Sequence, residues 1–161
     1  MKPIVVRRGR KADFGEFIGL VAELARFEHL ERPTPAGTRR LADDLFKRRR
    51  INLFVAADGG RLVGYALYFY NYSSFLAKPT LYLEDIFVQE AHRKRGVGFR
   101  LFRRCVDEAR SRGCGRMEWA VLTWNQKALD FYERLGAKRL SDWHVYRLDE
   151  EALGSVPASI P

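Results

Sequence analysis

The stretch Arg93-Lys94-Arg95-Gly96-Val97-Gly98 sits between an apolar, strand-like run, Leu81 to Val88, and a strongly amphipathic helix. Such a junction suits phosphate. Two glycines let the backbone turn without a Cβ clash, so successive N–H groups and the positive helix end can point at one anion. The flanking cations add charge-assisted attraction. A tight turn before a helix uses the same residue types, so the pattern alone leaves both readings open. The second candidate is the pair Glu84 and Asp85, two carboxylates inside the otherwise apolar run. An unpaired charge there is expensive, so each has a partner or a job. Strand alternation puts Glu84 with Tyr82, Ile86 and Val88, and Asp85 with Leu83 and Phe87, unless a bulge intervenes.

The third candidate is Tyr132, in the segment Trp124 to Ala137, which reads as a short helix with Asn125 as N-cap and Gly136 as its stop. Tyr132 falls seven residues after Asn125, so two helical turns return it to nearly the same face, beside Ala128 and Leu129. A tyrosine hydroxyl keeps its proton at neutral pH and can donate it as charge develops nearby. A core aromatic at helical spacing with Leu129 and Leu135 is the competing reading.

The elements that must position these residues are legible in outline. Ile4 to Arg8 reads as a first strand, and Asp13 to Phe27 as a helix with Phe17, Leu20, Val21 and Leu24 on one stripe. After Pro33 and Pro35, Thr38 is placed to cap a second helix running through Phe46. Asn52 to Ala57 and Leu62 to Tyr70, joined through Asp58-Gly59-Gly60, form a hairpin. Asn71 to Pro79 reads as a loop, and Leu81 to Val88 as the strand before the phosphate-type turn. In the following helix Val97, Leu101, Phe102, Cys105, Val106 and Ala109 recur at helical spacing, until Ser111-Arg112-Gly113 ends it. Arg116 to Leu122 and Trp143 to Leu148 complete the strands. A strand, helix, strand unit implies a right-handed parallel crossover, so the expected fold is α/β with α+β character: a central twisted mixed sheet of about six to seven strands and helices on both faces.

Composition agrees with one domain: 161 residues with 47% hydrophobic content bury one proper core and are too few for two typical ones. The expected organisation is a single domain over residues 1–153 and a disordered tail over 154–161. No run is long enough to span a bilayer, and the amino terminus is too short in apolar residues for a secretory signal, so the expectation is a soluble, cytoplasmic protein. Cys105 and Cys114 lack C-x-x-C or metal-like spacing, and His29, His92 and His144 are scattered, so no metal is predicted. The net charge of +9 raises nucleic acid as a partner, yet the cluster Arg93, Lys94, Arg95, Arg100, Arg103 and Arg104 equally suits a phosphorylated coenzyme. Arg39-Arg40 and Lys47-Arg48-Arg49-Arg50 read as solvated helix ends where cations favour the dipole.

Taken as an ordered set, Arg93 to Gly98 and the N-x-x-A…F-Y-x-x-x-G-A segment resemble the acetyl-CoA-binding signature of the GNAT superfamily of N-acetyltransferases. Within it, Leu81 to Val88, Ala120 to Asn125 and Glu23 to Glu28 are similar to the spermidine/spermine (diamine) and thialysine-acetylating branch, over about Ile4 to Leu148. The resemblance implies a GNAT-like fold, acetyl-CoA as cosubstrate and Tyr132 as the acid that protonates the departing thiolate. It selects Glu84 as the base. It also implies coenzyme contacts from Ile86, Phe87 and Val88 to the pantetheine arm, from Lys94, Arg95, Gly96, Val97, Gly98 and Phe99 around the diphosphate, and from Arg93, Asn125, Ala128 and Arg134. Phe27, Glu28, Glu84 and Asp85 fall at acceptor-binding positions, with Phe27 replacing the family's tyrosine. Relatives of this branch are commonly homodimers.

The implied chemistry has a clear physical problem to solve. An alkylammonium with a pKa of about 10.4 exposes its lone pair in roughly one molecule in 2,500 at pH 7, a cost of about 4.6 kcal/mol. A carboxylate that takes the proton and a low-dielectric site that depresses the amine pKa are the remedies. Direct transfer in a ternary complex then needs no covalent enzyme intermediate. One departure bears on the acceptor: Thr123 stands where the spermidine/spermine enzymes carry an acid before Trp124-Asn125. Less negative charge there leaves a lysine-like amino acid, a short diamine or another small amine open beside a polyamine. The alternatives are a protein lysine or amino-terminal acetyltransferase, and a non-enzymatic basic protein that binds coenzyme A or nucleic acid.

Overall fold

The computed structural model describes residues 3–159. Along the chain run β1 (Val5–Arg8), a 3-10 turn (Lys11–Asp13), α1 (Phe14–Glu28), α2 (Pro35–Phe46), β2 (Asn52–Asp58), β3 (Arg61–Ser73) and β4 (Lys78–Val88). A second 3-10 turn (Glu90–His92), α3 (Val97–Ser111), β5 (Arg116–Glu118), α4 (Gln126–Arg134) and α5 (Glu150–Ser155) follow. The chain divides into two compact units, residues 1–120 and 121–161.

The first unit holds a mixed five-stranded sheet in the order β1-β2-β3-β4-β5, antiparallel except for the parallel β4–β5 pair joined through α3. One sheet face buries Leu53, Val55, Ala57, Leu62, Tyr65, Leu67 and Phe87 against Phe17 and Leu20 of α1 and Leu45 of α2. Phe54, one residue out of phase with Leu53 and Val55, faces the other way, where Arg104 of α3 lies 4.8 Å over its ring. Helices on both faces and a parallel crossover are thus present.

The strand count is lower than the sequence implies. Five strands are found among the described residues, not six to seven, because Trp143 to Leu148 forms no strand; the strand expected over Arg116 to Leu122 is present but its pairing stops at Glu118. Aromatic and β-branched residues favour extended backbone, but a strand exists only where a neighbour takes its hydrogen bonds. Conversely, the expected loop over Asn71 to Pro79 shrinks to four residues, since β3 runs to Ser73 and pairs it with Lys78. Continuous ladder pairing there outweighs the low strand propensity of Asn71 and Pro79. The second helix starts one turn earlier than expected: Thr34 Oγ1 accepts from Gly37 N at 3.1 Å and Pro35 occupies the first turn, where its missing N–H costs nothing.

Two ion-pair clusters fix the first unit. Arg7 meets Asp13 through two hydrogen bonds of 2.7 and 2.8 Å. Glu108, buried on α3, accepts from Arg8 at 2.9 and 2.8 Å, from Tyr70 at 3.1 Å and from Arg112 at 3.2 Å. Burial pushes the Glu108 carboxyl up, and these donors outweigh it, leaving the group below its ordinary range. β1, β3 and α3 are joined at that point. The basic end of α2 is partly neutralised locally, Lys47 by Asp43 at 2.7 Å and Arg48 by Asp44 at 3.3 Å. Cys105 is buried and Cys114 half-buried, both as free thiols.

In the second unit, Asn125 Oδ1 accepts from Ala128 N at 3.3 Å and opens α4, as its sequence predicts. Gly136, at φ 81°, lets the chain leave the helix, with Ala137 N bonded back to Tyr132 O at 3.1 Å. Asp149 caps α5, so Gly154 and Ser155 of the expected disordered tail lie in a helix, while Ile160 and Pro161 fall outside the described residues.

Candidate active site

The segment after β4 is shaped by backbone conformation before any side chain matters. Lys94 at φ 60° and Gly96 at φ 74° both take left-handed conformations, and α3 opens immediately at Val97, with Arg100 N bonding to Gly96 O at 3.0 Å. The amides of Val97, Gly98 and Phe99 belong to the first turn and have no partner within the helix. Left-handed residues leading into those amides make the concave donor arrangement that favours an anion. Gly98 is informative for a different reason. A Cβ built there would meet Val88 Cγ2 at an ordinary 3.8 Å, so the protein's own packing does not demand glycine, and its absence keeps the mouth of the helix open.

The loop is tied down on three sides. Gln89 N donates to Val63 O at 3.0 Å, Arg95 donates to Asp58 Oδ2 at 3.2 Å, and Arg93 Nε donates to Val88 O at 2.9 Å. His92 Nε2 lies 3.8 Å from the same Asp58 oxygen. The Arg93 guanidinium stacks against Phe27 at 5.4 Å and Phe87 at 5.8 Å, so this arginine braces the loop against the end of α1. Of the residues expected to bind the coenzyme, Arg93 and Arg95 therefore have side chains engaged within the protein. Lys94 is exposed, and Phe99 is half exposed.

Beside the loop, β5 pairs only with Thr80, Leu81 and Tyr82 of β4. The β5-side backbone of Ile86, Phe87 and Val88 lies beyond that pairing, and such an edge offers N–H and C=O groups to an amide-bearing chain. Pantetheine is one.

The two carboxylates of β4 do not follow simple alternation. Register places Leu83 opposite Tyr68 and Asp85 opposite Leu67, so Glu84 is the extra residue of a bulge. Leu83 and Asp85 consequently lie on opposite faces, which corrects the expectation that they share one. Asp85 instead shares its face with Phe87 and with Tyr82, whose partners are Tyr65 and Phe69. Glu84 is exposed and Asp85 half-buried.

On this face Tyr65, fully buried, donates its hydroxyl to Asp85 Oδ2 at 3.3 Å. Glu28, half-buried at the end of α1, and Glu84 on the same strand both act on Asp85 through their charges. Burial first, then the charges of Glu84 and Glu28, push the Asp85 carboxyl up to about 6, against the opposing bond from Tyr65. Burial also pushes Glu28 up. Phe27 is exposed at the helix end, under Arg93. Sequence reasoning did not single out Tyr65. The available signal was a tyrosine in an apolar strand whose buried hydroxyl needs a partner, with a carboxylate pair in the adjacent strand.

Asn125, Ala128, Tyr132 and Arg134 stand on α4 and its cap in the second unit. Tyr132 is buried, with its ring 5.2 Å from Phe131, and Ala128 is half-buried while Arg134 is exposed. The cap geometry of Asn125 fits its sequence reading as a helix start, whatever it binds in addition.

Among the described residues, no group of three or more His, Cys, Asp or Glu side chains is placed to hold a metal ion, and no helix is long and apolar enough to cross a membrane.

Comparison with known proteins gives the family. The Acetyltransferase (GNAT) family profile matches residues 18–137. The thialysine N-epsilon-acetyltransferase of Sus scrofa is 31% identical over 165 residues, covering 95% of this chain and 96% of its own. The L-ornithine N5-acetyltransferase NATA1 of Arabidopsis thaliana is 42% identical over 95 residues, 59% of this chain and 42% of its own. In fold, an integron cassette protein from the mobile metagenome of V. cholerae superposes with a TM-score of 0.80 at 22% identity, covering 99% of this chain and 100% of that one. On these matches, and with a mixed sheet of this topology, the chain belongs to the GNAT family of acetyltransferases and is an acyltransferase that uses acetyl-CoA as its cosubstrate.

Proposed function

We propose that the protein acetylates a primary amine of a small cationic molecule, a lysine-like amino acid, a short diamine or a polyamine, by direct transfer from acetyl-CoA in a ternary complex. The observation that carries this reading is the grouping of Glu28, Glu84 and Asp85 beside the coenzyme loop, in a chain whose overall charge is +9. A positively charged protein repels a cationic substrate at long range, so local acids must dominate wherever one binds. The thialysine and ornithine relatives, both named for acting on amino acids with a side-chain amine, support the same class.

In this reading the first-turn amides of Val97, Gly98 and Phe99, with Lys94, Arg95 and Gly96, hold the diphosphate. The backbone of Ile86, Phe87 and Val88 pairs with the pantetheine arm, and Arg93 fixes the loop that does so. Asn125, Ala128 and Arg134 add coenzyme contacts from α4. Glu28 and Phe27 receive the distal part of the acceptor. A carboxylate of the bulged strand, Glu84 or Asp85, takes the amine's proton, and Tyr132 protonates the coenzyme thiolate. Holding amine and thioester together supplies much of the acceleration by itself.

The test is release of coenzyme A thiol from acetyl-CoA against lysine, ornithine, thialysine, putrescine, spermidine and spermine. Turnover with at least one of these amines is expected. Tight acetyl-CoA binding without turnover on any small amine would favour a macromolecular acceptor and defeat the proposal.

A further inference from the structure

The geometry points to Asp85, held by the hydroxyl of Tyr65, as the carboxylate that takes the proton from the acceptor amine, with Tyr65 as its positioning residue. This rests on the acetyl-transfer reading above and departs from the resemblance, which selects Glu84.

Three observations carry it. The bulge at Glu84 moves Asp85 off the face of Leu83 and onto the face where α1 ends, with Phe87 and Tyr82. There the Tyr65 hydroxyl, on a fully buried side chain packed edge-on to Phe17 at 5.0 Å, reaches Asp85 Oδ2 at 3.3 Å. Tyr65 has no freedom to follow a moving carboxylate, so it fixes Asp85 in one orientation. Glu84, by contrast, is the exposed extra residue of the bulge, without a ladder partner in β3. A base on a rigid, half-dry platform is better oriented than one on a solvated bulge.

The charged and titratable groups around Asp85 act in opposite directions. Glu28 from α1 and Glu84 from its own strand disfavour its ionised form, and the Tyr65 hydroxyl from β3 favours it. Two residues along the strand, the Arg93 guanidinium stacks on the Phe87 ring. Burial with these neighbours brings the carboxyl to about 6, so it is mostly ionised at neutral pH yet basic enough to hold a proton.

The step balances as follows. The ammonium gives one proton to Asp85 Oδ1, which passes it to water, and the freed lone pair forms the C–N bond at the thioester carbonyl. The C–S bond then breaks with its electron pair on sulfur. The second proton leaves the adduct nitrogen as sulfur takes one from Tyr132, which is reprotonated. The products are amide, coenzyme thiol and one released proton.

The experiment is the pH dependence of kcat/KM for the best acceptor, in wild type, D85N, E84Q and Y65F, with thermal unfolding to confirm that each folds. Wild type should show an acidic limb near pH 6. D85N should lose that limb together with at least a hundredfold of kcat, E84Q should keep it, and Y65F should move it to higher pH, because the bond it removes favours the carboxylate. Loss of the limb in E84Q and its retention in D85N would overturn the assignment, and an unmoved limb in a folded Y65F would overturn the role of Tyr65. A 13C carboxyl titration of the free protein, with D85N as the difference, reads the same group without turnover. A protein that acetylates no amine would fail the broader reading while leaving this titration intact.

Discussion

Tyr65 and Asp85 lie in neighbouring antiparallel strands, and the hydroxyl of the first meets the carboxylate of the second at 3.3 Å inside the face that packs on α1. Without the extra residue at Glu84, Asp85 would share the face of Leu83 and turn away from Tyr65. A single inserted residue therefore decides which carboxylate is held in the interior and which is left to solvent.

That placement has a cost in stability. The Asp85 carboxyl stands near 6 in the folded protein and near 3.8 when unfolded, so between those values the native state holds the extra proton. Its favourable contribution is complete below about pH 4 and lost as pH rises through about 6, up to about 3 kcal/mol in the limit. D85N should accordingly be more stable than wild type at pH 7, by about 1–3 kcal/mol, with the difference shrinking toward pH 4. Urea unfolding at the two pH values measures it; equal stability at both would refute the buried placement.

Glu108 behaves oppositely. Its carboxylate satisfies Arg8, Tyr70 and Arg112 from inside the sheet–α3 packing. E108A leaves Arg8 and Tyr70 without their shared acceptor and should cost about 3–5 kcal/mol at pH 7. The folded group titrates below its ordinary range, so its contribution is present above the unfolded pKa and lost as pH falls through the folded one. Chemical denaturation of E108A should therefore approach the wild-type curve in acid.

The sequence makes the turn into α3 and the α4 cap legible because both depend on local rules: glycine where φ is positive, an amide-capping side chain, apolar spacing of 3.6 residues. The first four helices came out within a turn for the same reason, whereas α5, short and capped by Asp149, was not read as a helix. The last strands came out short or not at all, since whether Leu122 or Trp143 lies in a strand depends on a partner elsewhere in the chain. The bulge at Glu84 was likewise hidden, because only pairing against Leu67 and Tyr68 reveals an extra residue. Alternation read from one strand alone places Leu83 and Asp85 together and misses Tyr65.

Gly96 is required by its backbone, at φ 74°, with open space around its missing Cβ. Substitution by alanine should cost about 1–2 kcal/mol through the left-handed conformation and not through a clash. Because the same turn presents the first-turn amides of α3, G96A should raise KM for acetyl-CoA about tenfold while changing kcat less. Initial rates at saturating amine separate the two parameters, and an unchanged KM would remove Gly96 from the coenzyme site.

In the proposed reaction Tyr132 protonates the coenzyme thiolate. Y132F keeps the buried ring and removes the proton donor, so acetyl-CoA should bind within about threefold of wild type while kcat falls by about 10²–10⁴. Calorimetric titration beside steady-state rates distinguishes this from a packing defect, in which binding and unfolding temperature would fall together.

The central claim, acetyl transfer to a small cationic amine, is tested most directly by identifying the product. The protein is incubated with acetyl-CoA and an equimolar mixture of lysine, ornithine, thialysine, putrescine, spermidine and spermine, and the mixture is analysed by mass spectrometry. An acetylated amine should accumulate in step with free coenzyme A, and both should be nearly absent with Y132F. Coenzyme release without any acetylated small amine, or tight acetyl-CoA binding with neither product, would contradict the claim.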